Sequence, residues 1–161
     1  MSILLRPAVP SDVALILQLI RELADYEKLL DRVVATEVLL REALFGQQTR
    51  AEVMIAEVNG QPAAFALFFH NFSTFVGRAG LYLEDLFVRP QFRALGIGKM
   101  LLIHLAKIAV ARDCGRFEWA ALDWNEPAIG FYKKLGAVAQ DDWTGFRMEG
   151  EVLKRLAELP E

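Results

Sequence analysis

Leu81-Tyr82-Leu83-Glu84-Asp85-Leu86-Phe87-Val88-Arg89-Pro90-Gln91-Phe92-Arg93-Ala94-Leu95-Gly96-Ile97-Gly98 is the stretch on which the reading of this 161-residue chain turns. Its first half, Leu81 to Val88, is an apolar, strand-like run that stops at Arg89-Pro90. A short loop carries Arg93, Ala94 and Leu95. A helical pattern then runs from Gly96 to Arg112, apolar at Ile97, Met100, Leu101, Leu105, Ile108 and Ala109. Strand, glycine-bearing turn and helix start, in that order, make a phosphate-binding device. Glycine lets the backbone approach closely, and the first N–H groups of a helix have no acceptor within it. The spacing Arg-x-x-Gly-x-Gly is neither the Gly-x-Gly-x-x-Gly fingerprint nor a P-loop, which needs Gly-Lys-Ser/Thr. Gly96 and Gly98 alone would also serve an ordinary tight turn. Arg93 and the upstream strand favour the anion reading, whereas Lys99 either adds charge or is simply solvated.

Working outward, Ile3 to Arg6 reads as a strand ended by Pro7. Ser11-Asp12 offers caps for a helix running to about Tyr26, and Thr36 caps a second, Thr36 to Leu44, ended by Gly46. Glu52 to Val58 and Pro62 to Phe69 flank Asn59-Gly60, a strong hairpin signal. The second arm has too little polar alternation to be half exposed. His70 to Gly80 reads as a loop and Arg116 to Leu122 as a strand. Asn125 is placed to cap a helix with Pro127 near its first position, where a missing N–H costs nothing, and Gly136 to follow its end. A strand around Phe146 to Glu149 and a helix near Glu151 to Leu159 complete the chain. The expected architecture is α/β: one mixed, twisted central sheet with helices on both faces, in a single domain over residues 1–161.

Composition narrows the function. A net charge of −3 argues against nucleic acid as the main partner, which calls for a basic excess. The single cysteine, Cys114, excludes an intrachain disulfide and suits a reducing cytoplasm. With only two histidines, His70 and His104, no metal site is signalled. The apolar run at the N-terminus is too short for a signal sequence, and no apolar stretch reaches membrane-spanning length.

Two further groups carry chemistry. Tyr132 projects from the helix after Asn125. Alone it reads as a core aromatic, but in context it can project toward a ligand beside the preceding strand. A tyrosine with its usual pKa of about 10 is a proton donor at neutral pH. Glu84 and Asp85 interrupt an apolar strand, and as strand neighbours they are expected to face opposite layers. Either can act as a base, steer a cationic amine, or form an ion pair.

Leu81 to Gly98, together with Arg21 to Leu29 (RELADYEKL), Asp123 to Ala137 (DWNEPAIGFYKKLGA) and Phe146 to Leu159, resembles the GNAT N-acetyltransferases. Within them it looks most like the diamine branch, which includes spermidine/spermine and thialysine acetyltransferases. The resemblance implies the GNAT fold and acetyl-CoA as co-substrate. The backbone of Leu86, Phe87 and Val88 would bond the pantetheine arm. Arg93, Ala94, Leu95, Gly96, Ile97, Gly98 and Lys99 would hold the pyrophosphate, with Asn125, Pro127, Ala128 and Tyr132 also contacting the cofactor. Tyr132 would protonate the departing thiolate. Glu84 would deprotonate the attacking ammonium through water. Tyr26, Glu27, Glu84, Asp85 and Trp119 would line the acceptor site. The implied reaction is direct transfer to a small cationic amine, in a homodimer, with no metal and no acyl-enzyme. Phe75 stands where the animal members lead one to expect tryptophan. A peptide acceptor, or a non-catalytic acyl-CoA-binding module, are the alternatives.

Overall fold

Asn59 (φ 51°) and Gly60 (φ 79°) both adopt the left-handed conformation that a two-residue hairpin turn demands. They join β2 (Glu52–Val58) to β3 (Gln61–Ser73), as the sequence predicts. In the computed structural model, which describes residues 1–161, these strands lie in a five-stranded sheet. It also contains β1 (Ile3–Pro7), β4 (Arg78–Val88) and β5 (Phe117–Trp119), in the order β1-β2-β3-β4-β5. Only the β4–β5 pair is parallel. The chain divides into two compact units, Met1–Leu122, which holds the sheet, and Asp123–Glu161.

Both faces of the sheet are covered, which is why β3 reads as an almost unbroken apolar run. On one face Val53, Ile55, Phe65 and Phe87 pack with Ile16, Leu19 and Leu23 of α1 (Val13–Tyr26) and Leu44 of α2 (Glu37–Phe45). Alternate residues Met54, Ala56, Ala64, Ala66 and Phe68 point the other way and are also buried. There α3 (Ile97–Ala111) packs across β2, β3 and β4 through Ile97, Leu101, Leu102, Leu105 and Ala109. Three alanines on that face leave room for the helix.

The start of α1 differs from expectation. Asp12 does not cap the helix with its side chain; a single 3₁₀ turn, Pro10–Asp12, precedes α1. The Asp12 carboxylate turns back instead. It accepts from the Val9 N–H at 2.8 Å and from the Arg6 guanidinium at 2.8 and 3.0 Å, while Arg6 Nε donates to Glu57 at 2.8 Å. The hydrogen bond from Arg6 outweighs burial and holds Asp12 below its usual pKa. Its contribution is therefore present above about pH 4 and is lost as pH falls through the depressed value. Asp12→Ala leaves Arg6 half-paired and is expected to cost about 2–3 kcal/mol at neutral pH, with the deficit vanishing in acid. Urea unfolding at two pH values checks both parts. By contrast Thr36 caps α2 as predicted, its Oγ1 accepting from the Leu39 N–H at 3.2 Å.

Two further expectations are corrected. Most of His70 to Gly80 is strand, because β3 continues to Ser73 and β4 begins at Arg78, leaving only a tight turn. Polar Asn71 and Ser73 read as loop residues, but ladder pairing with Gly80 and Arg78 overrides that local preference. Conversely, β5 covers only Phe117–Trp119, because its pairing with β4 ends at Leu83.

The second unit contains α4 (Glu126–Lys134) and α5 (Gly150–Ala157). Asn125 takes the N-cap position of α4, Pro127 lies in the first turn, and Gly136 (φ 97°) follows the C-cap, all as predicted. No strand forms at Phe146 to Glu149; those residues make no ladder, and without a partner β-propensity alone does not hold a strand. No helix of the protein is long and apolar enough to cross a membrane.

Candidate active site

The chemistry-bearing part of β4 is shaped by an extra residue. Leu67 of β3 pairs with Asp85, but Phe68 pairs with Leu83, so Glu84 is inserted as a β-bulge. Downstream, Asp85 stands opposite Leu67, on the α1 side of the sheet. Upstream, Leu83 shares the α3 side with Phe68, so Glu84 next to it also turns to the α1 side. The two carboxylates thus share one face, and the expectation of opposite faces is corrected. A strict two-residue period holds only where the ladder is regular.

The bulge also ends the neighbouring pairing. β5 accompanies β4 through Leu81, Tyr82 and Leu83 and then stops. Beyond it the β5-facing edge of residues 84–88 has no strand partner, which leaves an opening along Leu86, Phe87 and Val88. This opening leads to the anion loop. There Ala94 (φ 66°) and Gly96 (φ 78°) are both left-handed, and Gly96 is the N-cap of α3. The first backbone bond into the helix runs from Met100 N–H to Gly96 C=O at 3.0 Å, so the N–H groups of Ile97, Gly98 and Lys99 have no intrahelical acceptor. Ile97 is buried and anchors the turn, while Ala94, Leu95, Gly96 and Lys99 are exposed.

Gly98 tests whether the loop suits a ligand. Its φ is ordinary, and a Cβ there would meet only Val88 Cγ2, at 3.8 Å. Nothing in the protein itself requires glycine at this position, and its missing side chain leaves the helix end open to a close anion. Arg93 is placed differently from a free cation. Its Nε donates to Val88 C=O at 3.0 Å, and its guanidinium lies 4.9 Å from the centre of the Tyr26 ring and 5.8 Å from that of Phe87. An open cleft of about 620 Å³ beside it is walled by Glu22, Asp25, Tyr26, Phe87, Arg89 and Arg93. Arg89 is locked there by a two-bond ion pair with Glu22, both bonds 2.9 Å.

Tyr26 ends α1 and Glu27 is its C-cap, which brings Glu27 to the carboxylates of β4. Burial first, then the negative charge of Glu84, raises the Glu27 pKa. Asp85 is moved further. Burial, then Glu84, then Glu27, push it up to about 7. A carboxyl whose pKa is higher in the folded chain stabilises the fold below its unfolded value, and that contribution is lost as pH rises through the folded one. Asp85→Asn should therefore flatten the decline of Tm between about pH 4 and pH 7, a measurement made by thermal scans across that range.

Sequence reasoning missed Tyr82 and Glu118. Tyr82 lies two residues before Glu84 on the same face. Burial, then Glu84 and Glu118, raises its hydroxyl pKa. Glu118 pairs with Tyr82 across β4–β5 and accepts from Asn71 Nδ2 at 3.3 Å. The alternation Tyr82, Glu84 was the available signal. Trp119, the last residue of β5, pairs with Leu83 and so stands on the α3 side, across the sheet from the carboxylates. Asn125, Pro127, Ala128 and Tyr132 belong to the second unit. In that unit Tyr132 lies in α4, half-buried, its ring centre 5.7 Å from that of Phe131.

The family model described as acetyltransferase (GNAT) family matches residues 17–137, a span that includes the bulge, the opening and the anion loop. The chain belongs to the GNAT acetyltransferase family. Among relatives of this acetyltransferase, a thialysine N-epsilon-acetyltransferase of Sus scrofa is 39% identical, covering 97% of this chain and 98% of its own. An L-ornithine N5-acetyltransferase of Arabidopsis thaliana is 31% identical, covering 96% of this chain and 88% of its own. Among solved structures, an integron cassette protein from the mobile metagenome of V. cholerae superposes with a TM-score of 0.82 at 28% identity, covering 99% of each chain. The GNAT fold expected from the sequence is thereby borne out.

Proposed function

We propose that this acetyltransferase moves the acetyl group of acetyl-CoA to a primary amine of a small cationic acceptor: a polyamine, a diamine or a thialysine-like amine. The observation that carries this reading is the bulge in β4. It opens the strand edge toward an anion loop and gathers Glu84 and Asp85 on the face that Glu27 reaches. The open edge at Leu86, Phe87 and Val88 suits the pantetheine arm, and the N–H groups of Ile97, Gly98 and Lys99 suit a pyrophosphate. The acidic groups suit a cation. The relatives named above, a thialysine N-epsilon-acetyltransferase and an L-ornithine N5-acetyltransferase, support the same class.

In the proposed reaction both substrates are held together. The acceptor ammonium loses a proton to a carboxylate of β4, assigned to Glu84 by the family resemblance. Its nitrogen then attacks the thioester carbonyl, and Tyr132 protonates the sulfur as it leaves. Asn125, Pro127 and Ala128 contribute cofactor contacts from the start of α4, Tyr26 lines the acceptor path, Trp119 on the opposite face does not, and the two units serve one domain. No metal takes part. We place the enzyme in the cytoplasm, which its free Cys114 suits. A homodimer is in keeping with the exposed apolar residues Phe75, Val152, Leu153 and Leu156.

A thiol-release assay with acetyl-CoA tests the reading against spermidine, putrescine, thialysine, lysine and a short basic peptide. Release with a small amine is the expected result. Release with the peptide alone would make the protein-modifying alternative correct. Binding of acetyl-CoA without release to any acceptor would favour a binding module.

A further inference from the structure

An ammonium group must be deprotonated before it can attack, and the site offers two adjacent carboxylates on one face rather than one. They are not equivalent. Glu84, the inserted residue of the bulge, is exposed, whereas Asp85 is partly buried opposite Leu67, which packs on the hydrophobic core. We propose that Asp85 takes the proton from the acceptor ammonium, while Glu84 and Glu27 hold the cation. This rests on the acetyl-transfer reading and changes which group acts as the base.

The argument begins with solvation. An exposed carboxylate is stabilised by water as the anion and is a poor base toward an amine. A base works best when its pKa lies near the operating pH. Burial removes that stabilisation from Asp85, and the neighbouring charges act in the same direction. Those identified as acting on it are Glu84 on its own strand and Glu27 at the end of α1, both negative. From β3 the facing residue is the apolar Leu67. On the same face lie Tyr82, and Glu118 of β5, which accepts from Asn71. Past the end of α1 comes Lys28. Arg93 in the loop after β4 donates to Val88 C=O and stacks on Tyr26. The result places Asp85 near neutrality, at about 7.

The step balances without another reactant. An N–H bond of the ammonium breaks and an O–H bond forms on Asp85. A buried anion and a cation become a neutral acid and a neutral amine, which the poorly solvated position favours. The freed lone pair forms the C–N bond as the C–S bond breaks, the sulfur takes its proton from Tyr132, and the second N–H proton, shed as the amide nitrogen becomes neutral, passes through water to restore the phenol. Asp85 then returns its proton to water.

The test is the pH dependence of kcat and KM for wild type, Asp85→Asn and Glu84→Gln, with two acceptors. One is a strongly basic primary amine. The other is an analogue whose electron-withdrawing substituent leaves it mostly neutral at pH 7. For the basic amine, Asp85→Asn should lower kcat by about 100-fold or more, leave KM little changed, and remove the lower limb near neutrality. The loss should largely disappear with the weakly basic amine. Glu84→Gln should chiefly raise KM and move the limb to lower pH, since a negative neighbour has gone. Equal losses with both amines, or a lower limb that survives Asp85→Asn and disappears with Glu84→Gln, would overturn the proposal. If Asp85→Asn does not fold, Glu27→Gln serves instead. The limb should again move to lower pH, and an unmoved limb counts against Asp85. Absence of transfer by the wild type to any amine would refute the acetyl-transfer reading instead, so the two failures are distinguishable.

Discussion

Tyr132→Phe is expected to lower kcat by about 100-fold or more while leaving the affinity for CoA essentially unchanged. The substitution removes one hydroxyl and keeps the ring, so the packing beside Phe131 persists. What goes is a proton donor. A thiol with a pKa of about 8.5 leaves an acyl centre more easily once its sulfur is being protonated, and a phenol of pKa about 10 is a competent donor to it. Without that proton, the tetrahedral adduct more often returns to reactants by expelling the amine. Steady-state kinetics with a small amine, alongside calorimetric titration with CoA, separates chemistry from binding. A fall in affinity with kcat intact would assign Tyr132 to cofactor binding alone and end its role as the acid.

Gly96→Val should weaken CoA binding by about tenfold or more and destabilise the fold by ~1–2 kcal/mol. Gly96 has φ +78°, and no atom lies within 4 Å of where its Cβ would be. The effect is therefore purely conformational. A β-branched residue resists the left-handed region, and the loop relaxes toward negative φ. The N–H groups of Ile97, Gly98 and Lys99 then cease to converge on one point. A shortened donor carrying acetyl-pantetheine without the pyrophosphate separates the causes. Its use should be much less affected, and an equal loss for both donors would refute the anion role of the loop. Gly98→Ala is the companion variant. With ordinary φ and a single contact at 3.8 Å, it should keep full stability. Any loss of CoA affinity in that variant then reports a ligand that comes closer than a methyl group allows.

The site was unevenly legible from the residues. The turn between β4 and α3 could be read because its signals are local: a glycine at a left-handed position, a strand before it and a helix after it. The same holds for Thr36, which caps α2, and for the Asn59-Gly60 turn. The carboxylates were recognised but misplaced. Counting alternation along β4 assigns Glu84 and Asp85 to opposite layers, and only the pairing with β3 reveals the extra residue. Tyr82 and Glu118 were overlooked because they sit on different strands, and β5 comes to lie beside β4 only after the α3 crossover. Asp12 was read as a cap from its position before a helix, but a half-buried arginine on β1 competes for it and wins.

By itself, the sequence determined most of the elements and their order, the Asn59-Gly60 turn, the Thr36 cap and the strand, glycine turn and helix start from Leu81 to Gly98. These follow from backbone energetics over a few residues, where each side chain's preference acts on its own peptide units. Only the tertiary structure decided which face Asp85 and Glu84 occupy, where β5 leaves β4, and how far burial moves a carboxyl from its ordinary pKa. Each depends on residues distant in the chain: Leu67 sets the register, Trp119 ends the parallel pairing, and Glu27 brings its charge from the end of a helix. Registers and local dielectric are properties of the packed sheet, so they emerge only when it has formed.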